Sequence, residues 1–193
     1  MIAIIDYGAG NTRSVMNALD RLDVDYELTD NASKILASDK VIFPGVGHAG
    51  HAMESLKRRN LVDTIRAVRQ PMLGICVGMQ LLYESSEEGD TACLGILEGR
   101  VTKFDTEKVI VPQMGWNINQ LSKNKLFDGL EESTYLYAVH SYRADVDAHT
   151  ISTSTYGAQY ASAVQRNNVY GVQFHPEKSS KDGQLIIKNF LEL

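Results

Sequence analysis

The sequence has 193 residues, of which 44% are hydrophobic, and a formal net charge of -5. This length fits one domain with a sizeable core, and we predict a single domain over residues 1–193. The acidic balance, without a long run of Lys or Arg, argues against nucleic-acid binding, and no apolar run approaches the roughly 18 residues that a membrane span requires. The cysteines, Cys76 and Cys93, lie in unlike settings, as expected in a reducing compartment, so we predict a soluble cytoplasmic protein.

The first half of the chain alternates strand-like and helical patterns. The strand-like runs are residues 2–5, 24–28, 41–43 and 72–75. Apolar residues at helical spacing fall between them, at residues 15–22, up to residue 56 and at residues 62–68. Such alternation implies right-handed crossover connections and a mostly parallel central sheet flanked by helices, so we predict an α/β fold.

Beyond residue 94 the pattern changes to strand-like runs separated by turn residues. The runs cover residues 95–104, 109–111, 135–139, 161–166 and 169–174, with a hairpin turn predicted at Asn167-Asn168. We therefore expect additional antiparallel strands in the second half and a C-terminal helix through residues 185–191.

Cys76 is the strongest candidate for a catalytic group. It lies between a predicted buried strand and a predicted helix, and Gly74 and Gly78 flank it. This is the nucleophile-elbow pattern with sulfur in place of oxygen, in which a sharp turn holds the nucleophile clear of the sheet. The start of the following helix favours the thiolate and aims the N–H of Val77 at an oxyanion. A lone cysteine in an apolar run is more often a small core residue, which is our interpretation of Cys93.

His175 and Glu177 supply a candidate base and the carboxylate that orients it. They end a strand-like segment at Pro176, and side chains two residues apart in extended chain point to the same side. Glu177 can then accept a hydrogen bond from one ring nitrogen of His175 and leave the other free to take a proton from Cys76. Alone, the segment fits a surface turn equally well, but the cysteine elbow upstream favours the catalytic interpretation.

Two other motifs carry less weight. His48 and His51 have no third ligand at a suitable spacing, so we predict solvated side chains and no metal site. Gly8-Ala9-Gly10 follows the first strand, but Arg13 stands where a dinucleotide-binding motif has its third glycine. We therefore predict no cofactor.

With these residues in place, the chain resembles the class I, or triad-type, glutamine amidotransferases over essentially its whole length. The resemblance rests on residues 74–80, GICVGMQ, in combination with His175-Pro176-Glu177. Segments 6–11, 44–47, 112–117 and 137–142 make it similar, within this family, to the glutaminase subunits of imidazole glycerol phosphate synthases. Val77 stands where family members often carry Leu, a change that leaves the backbone N–H unaffected. The implied fold is flavodoxin-like, and the implied triad is Cys76, His175 and Glu177.

The resemblance also implies roles for residues around the triad. Val77 and, in the 44–47 loop, Val46 or Gly47 are expected to donate backbone N–H groups to the oxyanion. The position of the 44–47 loop supports part of this implication, because a glycine-flanked loop after a parallel strand lies where such sheets bind ligands. The residues expected to hold glutamine are Gly45, Gln80, Glu88, Ser141 and Tyr142. From the residues alone, Glu88 fits a solvated loop as well, and Tyr142 and His140 fit the edge of the core.

The implied reaction is hydrolysis of glutamine to glutamate and ammonia through a glutamyl thioester. Because the glutaminase fold occupies the whole sequence, an acceptor subunit is expected to use the ammonia. The resemblance implies a (β/α)8 cyclase subunit that forms a heterodimer with this chain and makes imidazole glycerol phosphate and AICAR in histidine biosynthesis. Tyr137 and His140 are candidates for that interface, and low activity is expected without the loaded partner.

Three alternatives stay open. Glutaminase subunits of anthranilate synthase and of pyridoxal phosphate synthase have similar size and the same triad, although segments 112–117 and 137–142 favour the first assignment. A cysteine peptidase or hydrolase on a similar sheet would not release ammonia from free glutamine. A non-catalytic regulatory module is disfavoured because every triad residue is present.

Overall fold

The computed structural model describes residues 1–8 and 11–193. In the first part of the chain, short strands alternate with helices, as the periodicity predicts. The strands are β1 (Ile2–Ile5), β2 (Tyr26–Thr29), β3 (Lys40–Phe43) and β4 (Met72–Ile75). The helices are α1 (Thr12–Asp20), α2 (Ala32–Ala37), α3 (Ala49–Arg58), α4 (Val62–Ala67) and the one-turn α5 (Val77–Gln80).

The second part is mostly strand and ends in a helix. Its strands are β5 (Ser85–Ser86), β6 (Thr91–Ala92), β7 (Arg100–Lys103), β8 (Gln113–Leu121), β9 (Ser133–His140), β10 (Tyr142–Ala144), β11 (Thr150–Tyr156), β12 (Ala158–Arg166) and β13 (Val169–Val172). Short 3-10 turns cover Lys125–Phe127 and Pro176–Lys178, and α6 (Ser180–Glu192) follows. No helix of the described ranges is long and apolar enough to cross a membrane.

The strands join into one sheet whose centre is parallel. Strands β2, β1, β3, β4 and β13 are neighbours in that order, all parallel, and β12 then pairs antiparallel with β13. Because β3, β4 and β13 run the same way, the residues after Phe43, Ile75 and Val172 emerge at one edge. In open α/β sheets this carboxyl edge is where ligands bind.

The core explains why these segments form a parallel sheet. Every residue of β1, β4 and β13 is buried, as expected for strands covered on both faces. Helix α1 covers the sheet with Val15, Ala18 and Leu19, which recur at helical spacing and are buried. The predicted α/β class, with a mostly parallel sheet and antiparallel strands added in the second half, is confirmed.

Several sequence-based boundaries need correction. Residues 109–111 are not a strand; they lie in a loop before Pro112, which has no N–H to donate to a ladder. Residues 95–99 form turns, and only Arg100–Lys103 of the predicted run is a strand. The sequence prediction missed α2, which has only six residues, and β11, whose Ser and Thr residues give no apolar alternation.

Candidate active site

Cys76 lies at a sharp turn between β4 and α5. Its φ of 54° and ψ of -110° fall where side-chain-bearing residues are rare, and its backbone N–H donates to Val172 at 2.8 Å. The flanking glycine is required by packing: a Cβ on Gly78 would lie 2.0 Å from the carbonyl oxygen of Phe43. The elbow therefore forms where the end of β3 presses against the first turn of α5.

His175 and Glu177 form a buried pair next to this elbow. Nδ1 of His175 is 2.8 Å from Oε1 of Glu177, and both side chains are almost wholly buried. Because a carboxylate can only accept, Nδ1 carries the hydrogen, and Nε2 faces no hydrogen-bond partner among the described residues. The expected geometry needs correction, since the two side chains meet through the Pro176–Lys178 turn and not along extended chain.

The electrostatics of the pair favour a charged imidazole. Burial opposes the charge of His175 and is the largest single influence, but Cys76 and Glu177 together outweigh it and raise the pKa of His175 to about 10. Burial and the neighbouring Cys76 raise the pKa of Tyr7 above its ordinary value, so this phenol stays neutral. Tyr7 donates to the carbonyl of Pro44 at 2.8 Å and so fixes the start of the 44–47 loop.

The sulfur of Cys76 has two polar neighbours that sequence reasoning missed. The carbonyl oxygen of Val139 lies 3.8 Å from Sγ, and Nε2 of Gln173 lies 3.7 Å from it. Gln173 directly follows β13, two residues before His175, where the chain bends. Because the chain bends at Gln173 and Phe174, period-two alternation gives no signal for this contact.

The predicted oxyanion donors lie at the elbow, but one of them is occupied. The N–H of Val77 donates to the carbonyl oxygen of Gly45 at 3.3 Å, and Val46 and Gly47 line the adjacent cavity. In this conformation the Gly45 carbonyl holds the place where an oxyanion would accept from Val77. The donor roles of Val77, Val46 and Gly47 therefore stay predictions, and that of Val77 requires the Gly45 carbonyl to turn away.

Cys76 and His175 both line a cavity of about 440 Å³. Of the predicted glutamine-binding residues, Gln80, Glu88, Ser141 and Tyr142 line it, whereas Gly45 does not. The carboxylate of Glu88 also accepts from the N–H of Ala49 at 2.7 Å, at the start of α3. Further lining residues without an assigned role from sequence are Asn11, Pro112, Val139 and Lys178. Ala9 and Gly10 of the 6–11 segment lie outside the described residues.

The two predicted interface residues have different environments. Tyr137 is half-buried and packs edge-on against Trp116, with ring centroids 6.1 Å apart. His140 is 6% exposed and packs between the rings of Phe104 and Tyr160, so it offers no surface to a partner here. Burial lowers the pKa of His140 to about 4, outweighing the hydrogen bond from its Nδ1 to the carbonyl of Tyr142.

The residues considered and rejected as metal ligands lie at the start of α3. His48 accepts from the N–H of Gly50 at 3.0 Å and caps the helix, and its ring lies 4.9 Å from that of His51. In the described ranges, no group of three or more His, Cys, Asp or Glu side chains is arranged to hold a metal.

Comparisons with known proteins agree on one family. The family model described as class-I glutamine amidotransferase matches residues 3–193. The imidazole glycerol phosphate synthase subunit HisH of Haemophilus influenzae strain Rd is 46% identical over 192 residues, covering 99% of this chain and 96% of the relative. The HisH subunit of Vibrio cholerae is 44% identical over 199 residues, covering 100% of this chain and 98% of the relative.

Solved structures share the fold at low sequence identity. A crystal structure described as a glutamine amidotransferase has a TM-score of 0.75 at 17% identity, covering 100% of this chain and 98% of that one. The PurLQS structure from Thermotoga maritima has a TM-score of 0.71 at 18% identity, covering 99% of this chain and 97% of the matched one. At such identities the likeness shows the fold alone.

Proposed function

Because the chain belongs to the class-I glutamine amidotransferase family, we propose that it is the glutaminase subunit of an imidazole glycerol phosphate synthase. The observation that carries the chemistry is the meeting of three side chains at one cavity. Cys76 stands at a strained elbow, Nε2 of His175 has no hydrogen-bond partner among the described residues, and Glu177 lies 2.8 Å from the other ring nitrogen. Nucleophile, base and orienting carboxylate are the parts that acyl transfer to a thiol requires.

In the first half-reaction, Nε2 of His175 already holds the proton from Cys76, as the raised pKa of the ring favours, and the thiolate attacks the side-chain amide carbon of glutamine. The imidazolium, stabilised by Glu177, then gives its proton to the departing ammonia, leaving a glutamyl thioester. In the second, His175 takes a proton from water, the hydroxide attacks the thioester carbon, and the thiolate leaves. Glutamate is released, and one water is consumed for each ammonia formed.

The oxyanion hole is proposed to open by rotation of one peptide unit. The carbonyl of Gly45 and the N–H of Val46 belong to the same trans peptide and point in opposite directions. Turning this unit over would release the N–H of Val77, now 3.3 Å from Gly45 oxygen, and bring the N–H of Val46 to the same site. Two donors would then face the oxyanion. The resting conformation therefore predicts low glutaminase activity for the chain alone.

An exposed apolar stripe beside the cavity supports a partner subunit. Its members are Met114, Trp116 and Ile118 on β8 and Tyr135 and Tyr137 on β9; Met114, Trp116 and Tyr135 are 67%, 53% and 57% exposed. The cross-strand register pairs Ile118 with Tyr135, Trp116 with Tyr137 and Met114 with Val139, which is on the cavity wall. Contiguous apolar surface that leads to a reactive cavity is typical of a protein interface.

We assign this stripe to the cyclase subunit of the synthase, in a heterodimer. A partner bound there would cover the route by which ammonia leaves the cavity past Val139. The ammonia would then pass to the cyclase instead of being lost to water. The acceptor reaction would form imidazole glycerol phosphate and AICAR. Both cysteines are free thiols, which suits the cytoplasm, where we propose the complex works.

The test is glutamate release from glutamine by the purified chain, with and without the cyclase subunit and its nucleotide substrate. We expect slow release alone and stimulation of about 5- to 150-fold with the loaded partner, as a coupling of about 1–3 kcal/mol gives. Cys76→Ala, which exchanges one small side chain for another, should abolish release under both conditions. Its free energy of unfolding should stay within about 1 kcal/mol of the wild-type value.

Release by Cys76→Ala would overturn the nucleophile. A rate of hydrolysis that the cyclase subunit does not change would indicate another acceptor for the ammonia, such as that of anthranilate synthase or pyridoxal phosphate synthase. An inactive wild-type chain under both conditions would favour a non-catalytic module.

A further inference from the structure

Gln173 lies directly behind the nucleophilic sulfur, outside the wall of the cavity. Its side chain is fully buried, and its Nε2 is 3.7 Å from Sγ of Cys76. Its backbone N–H donates to the carbonyl of Ser162 at 2.8 Å, which continues the pairing of β13 with β12 and fixes the segment. A buried amide with such a contact has one of two roles. It either only fills space and satisfies its own polar atoms, or it also affects the position and protonation of the sulfur.

The orientation of the amide separates these two interpretations. The backbone carbonyl of Tyr142 can only accept, so Gln80 must present its NH2 group to it, at 3.0 Å. The same NH2 lies 2.9 Å from Oε1 of Gln173. Oε1 of Gln173 is therefore an acceptor, and its own NH2 must point at the sulfur. A backbone carbonyl thus fixes the direction of both side-chain amides.

The two polar neighbours of the sulfur favour opposite protonation states. The carbonyl oxygen of Val139 accepts from the thiol and has nothing to offer a thiolate. The N–H of Gln173 donates, and a donor in a buried site stabilises an anionic acceptor more than a neutral one. When Cys76 gives its proton to His175, the contact with Val139 ends and the one with Gln173 strengthens.

We propose that Gln173 is a positioning residue that holds Sγ of Cys76 and stabilises its thiolate, kept in the donating orientation by Gln80 and the carbonyl of Tyr142. The inference rests on the proposed function, because it concerns the nucleophile of the same site. It also links the wall that carries Tyr142 to the sulfur through three hydrogen bonds. A substrate held against that wall would therefore favour the amide orientation that the thiolate needs.

The test replaces the donor without emptying the site. Gln173→Met keeps the length of the side chain and removes the donor. Gln173→Glu keeps an acceptor for Gln80 but turns an acceptor or negative charge toward the sulfur. The pH midpoint for alkylation of Cys76 by iodoacetamide should rise by about one pH unit in the first and by more in the second. Peptide mapping separates Cys76 from Cys93.

Kinetics give a second readout with the partner-stimulated enzyme. Because Gln173 does not line the cavity, Gln173→Met should lower kcat about tenfold and leave KM within about twofold. Gln165→Met is the matched control, because Gln165 bonds to Asn124, Asn167 and Tyr170, which are not cavity residues; its midpoint should equal that of the wild type.

The native titratable and charged groups around Cys76 are all kept in these variants, and Gln173→Met adds none, so a shifted midpoint in that variant reports the loss of the amide. These groups are Tyr7, Glu88, His140, Tyr142, His175, Glu177 and Lys178. Unshifted midpoints in both Gln173 variants, with glutaminase activity intact, would overturn the role of Gln173 alone. Alkylation needs no turnover, so a wild-type chain that releases no glutamate would overturn the proposed function and still leave this comparison readable.

Discussion

His140 shows how burial sets the chemistry of a single residue. Its Nδ1 donates to the carbonyl of Tyr142 at 2.8 Å, and its Nε2 is buried without a partner among the described residues. The ring is therefore a neutral histidine with the hydrogen on Nδ1, enclosed by Phe104 and Tyr160. A charge at this position would be unpaired in an apolar setting, which is why burial lowers the pKa to about 4.

This burial predicts a loss of stability in mild acid. Between pH 6.5 and about 4 the unfolded chain binds a proton at His140 that the folded chain does not, so stability present above pH 6.5 is lost as the pH falls through that window. The difference corresponds to about 3 kcal/mol. His140→Gln, neutral at every pH, should lose less stability than the wild type when urea unfolding is compared at pH 7.5 and pH 4.5.

The comparison needs a second histidine variant, because carboxylates also titrate in this range. His51→Gln is suitable, since His51 is exposed at the start of α3. Its stability should follow the wild-type dependence on pH. If His140→Gln shows the same acid sensitivity as His51→Gln, the buried neutral histidine does not limit acid stability.

At the scale of elements, the contact between the end of β3 and α5 sets the elbow. Gly78 allows α5 to touch the backbone at Phe43, and a Cβ there would lie 2.0 Å from a carbonyl oxygen that cannot move without the sheet. Gly78→Ala should therefore cost about 2–3 kcal/mol of unfolding free energy and displace the 44–47 loop. Thermal unfolding followed by circular dichroism would measure it.

Gly50→Ala is the matched control within a helix. A Cβ on Gly50 would meet Thr91 Oγ1 at 3.1 Å and the ring of His48 at 3.2 Å, which are side-chain atoms that can shift slightly, and alanine gains helix propensity. This change should alter stability by less than about 1 kcal/mol. Equal stability of the Gly78→Ala variant and the wild type would show that the backbone of β3 yields more easily than the packing implies.

The same element shows what the sequence could and could not predict. The glycine frame around Cys76 and the spacing of His175 and Glu177 are local, so their chemistry is readable from the residues. The contact of Gln173 with Cys76 depends on β13 inserting between β4 and β12, a pairing of distant segments, which is why Gln173 was missed. The direction of the Gly45–Val46 peptide depends on the contact of the Gly45 carbonyl with the N–H of Val77 on α5, which no local sequence pattern encodes.

Strand β8 was missed for a related reason. A strand beside a core is recognised by apolar residues on its inner face, yet in β8 Met114, Trp116 and Ile118 point outward and Gln113 and Asn119 are buried. An outer face that carries the apolar residues indicates a surface that another molecule covers. The misread element is therefore the one that carries the proposed interface.

At the scale of the whole molecule, the parallel half carries Cys76, the proposed nucleophile, and the β8–β9 hairpin carries the apolar stripe next to it. Trp116 is at the centre of the stripe and outside the cavity lining, as expected for an aromatic interface anchor. Trp116→Ala should weaken binding of the cyclase subunit about 30-fold or more and leave the slow glutaminase activity of the isolated chain unchanged. Titration calorimetry and glutamate release measure the two effects separately.

Leu36→Ala provides the control for lost apolar surface. Leu36 is exposed on α2, which packs beside β1 at the far end of the parallel layer from β8, so its truncation should change neither binding nor release. Equal affinity of Trp116→Ala and Leu36→Ala for the cyclase would move the interface away from the stripe. In that case the stimulation would have to reach the Gly45–Val46 peptide from another surface, because the stripe is the exposed apolar region that adjoins the cavity through Val139.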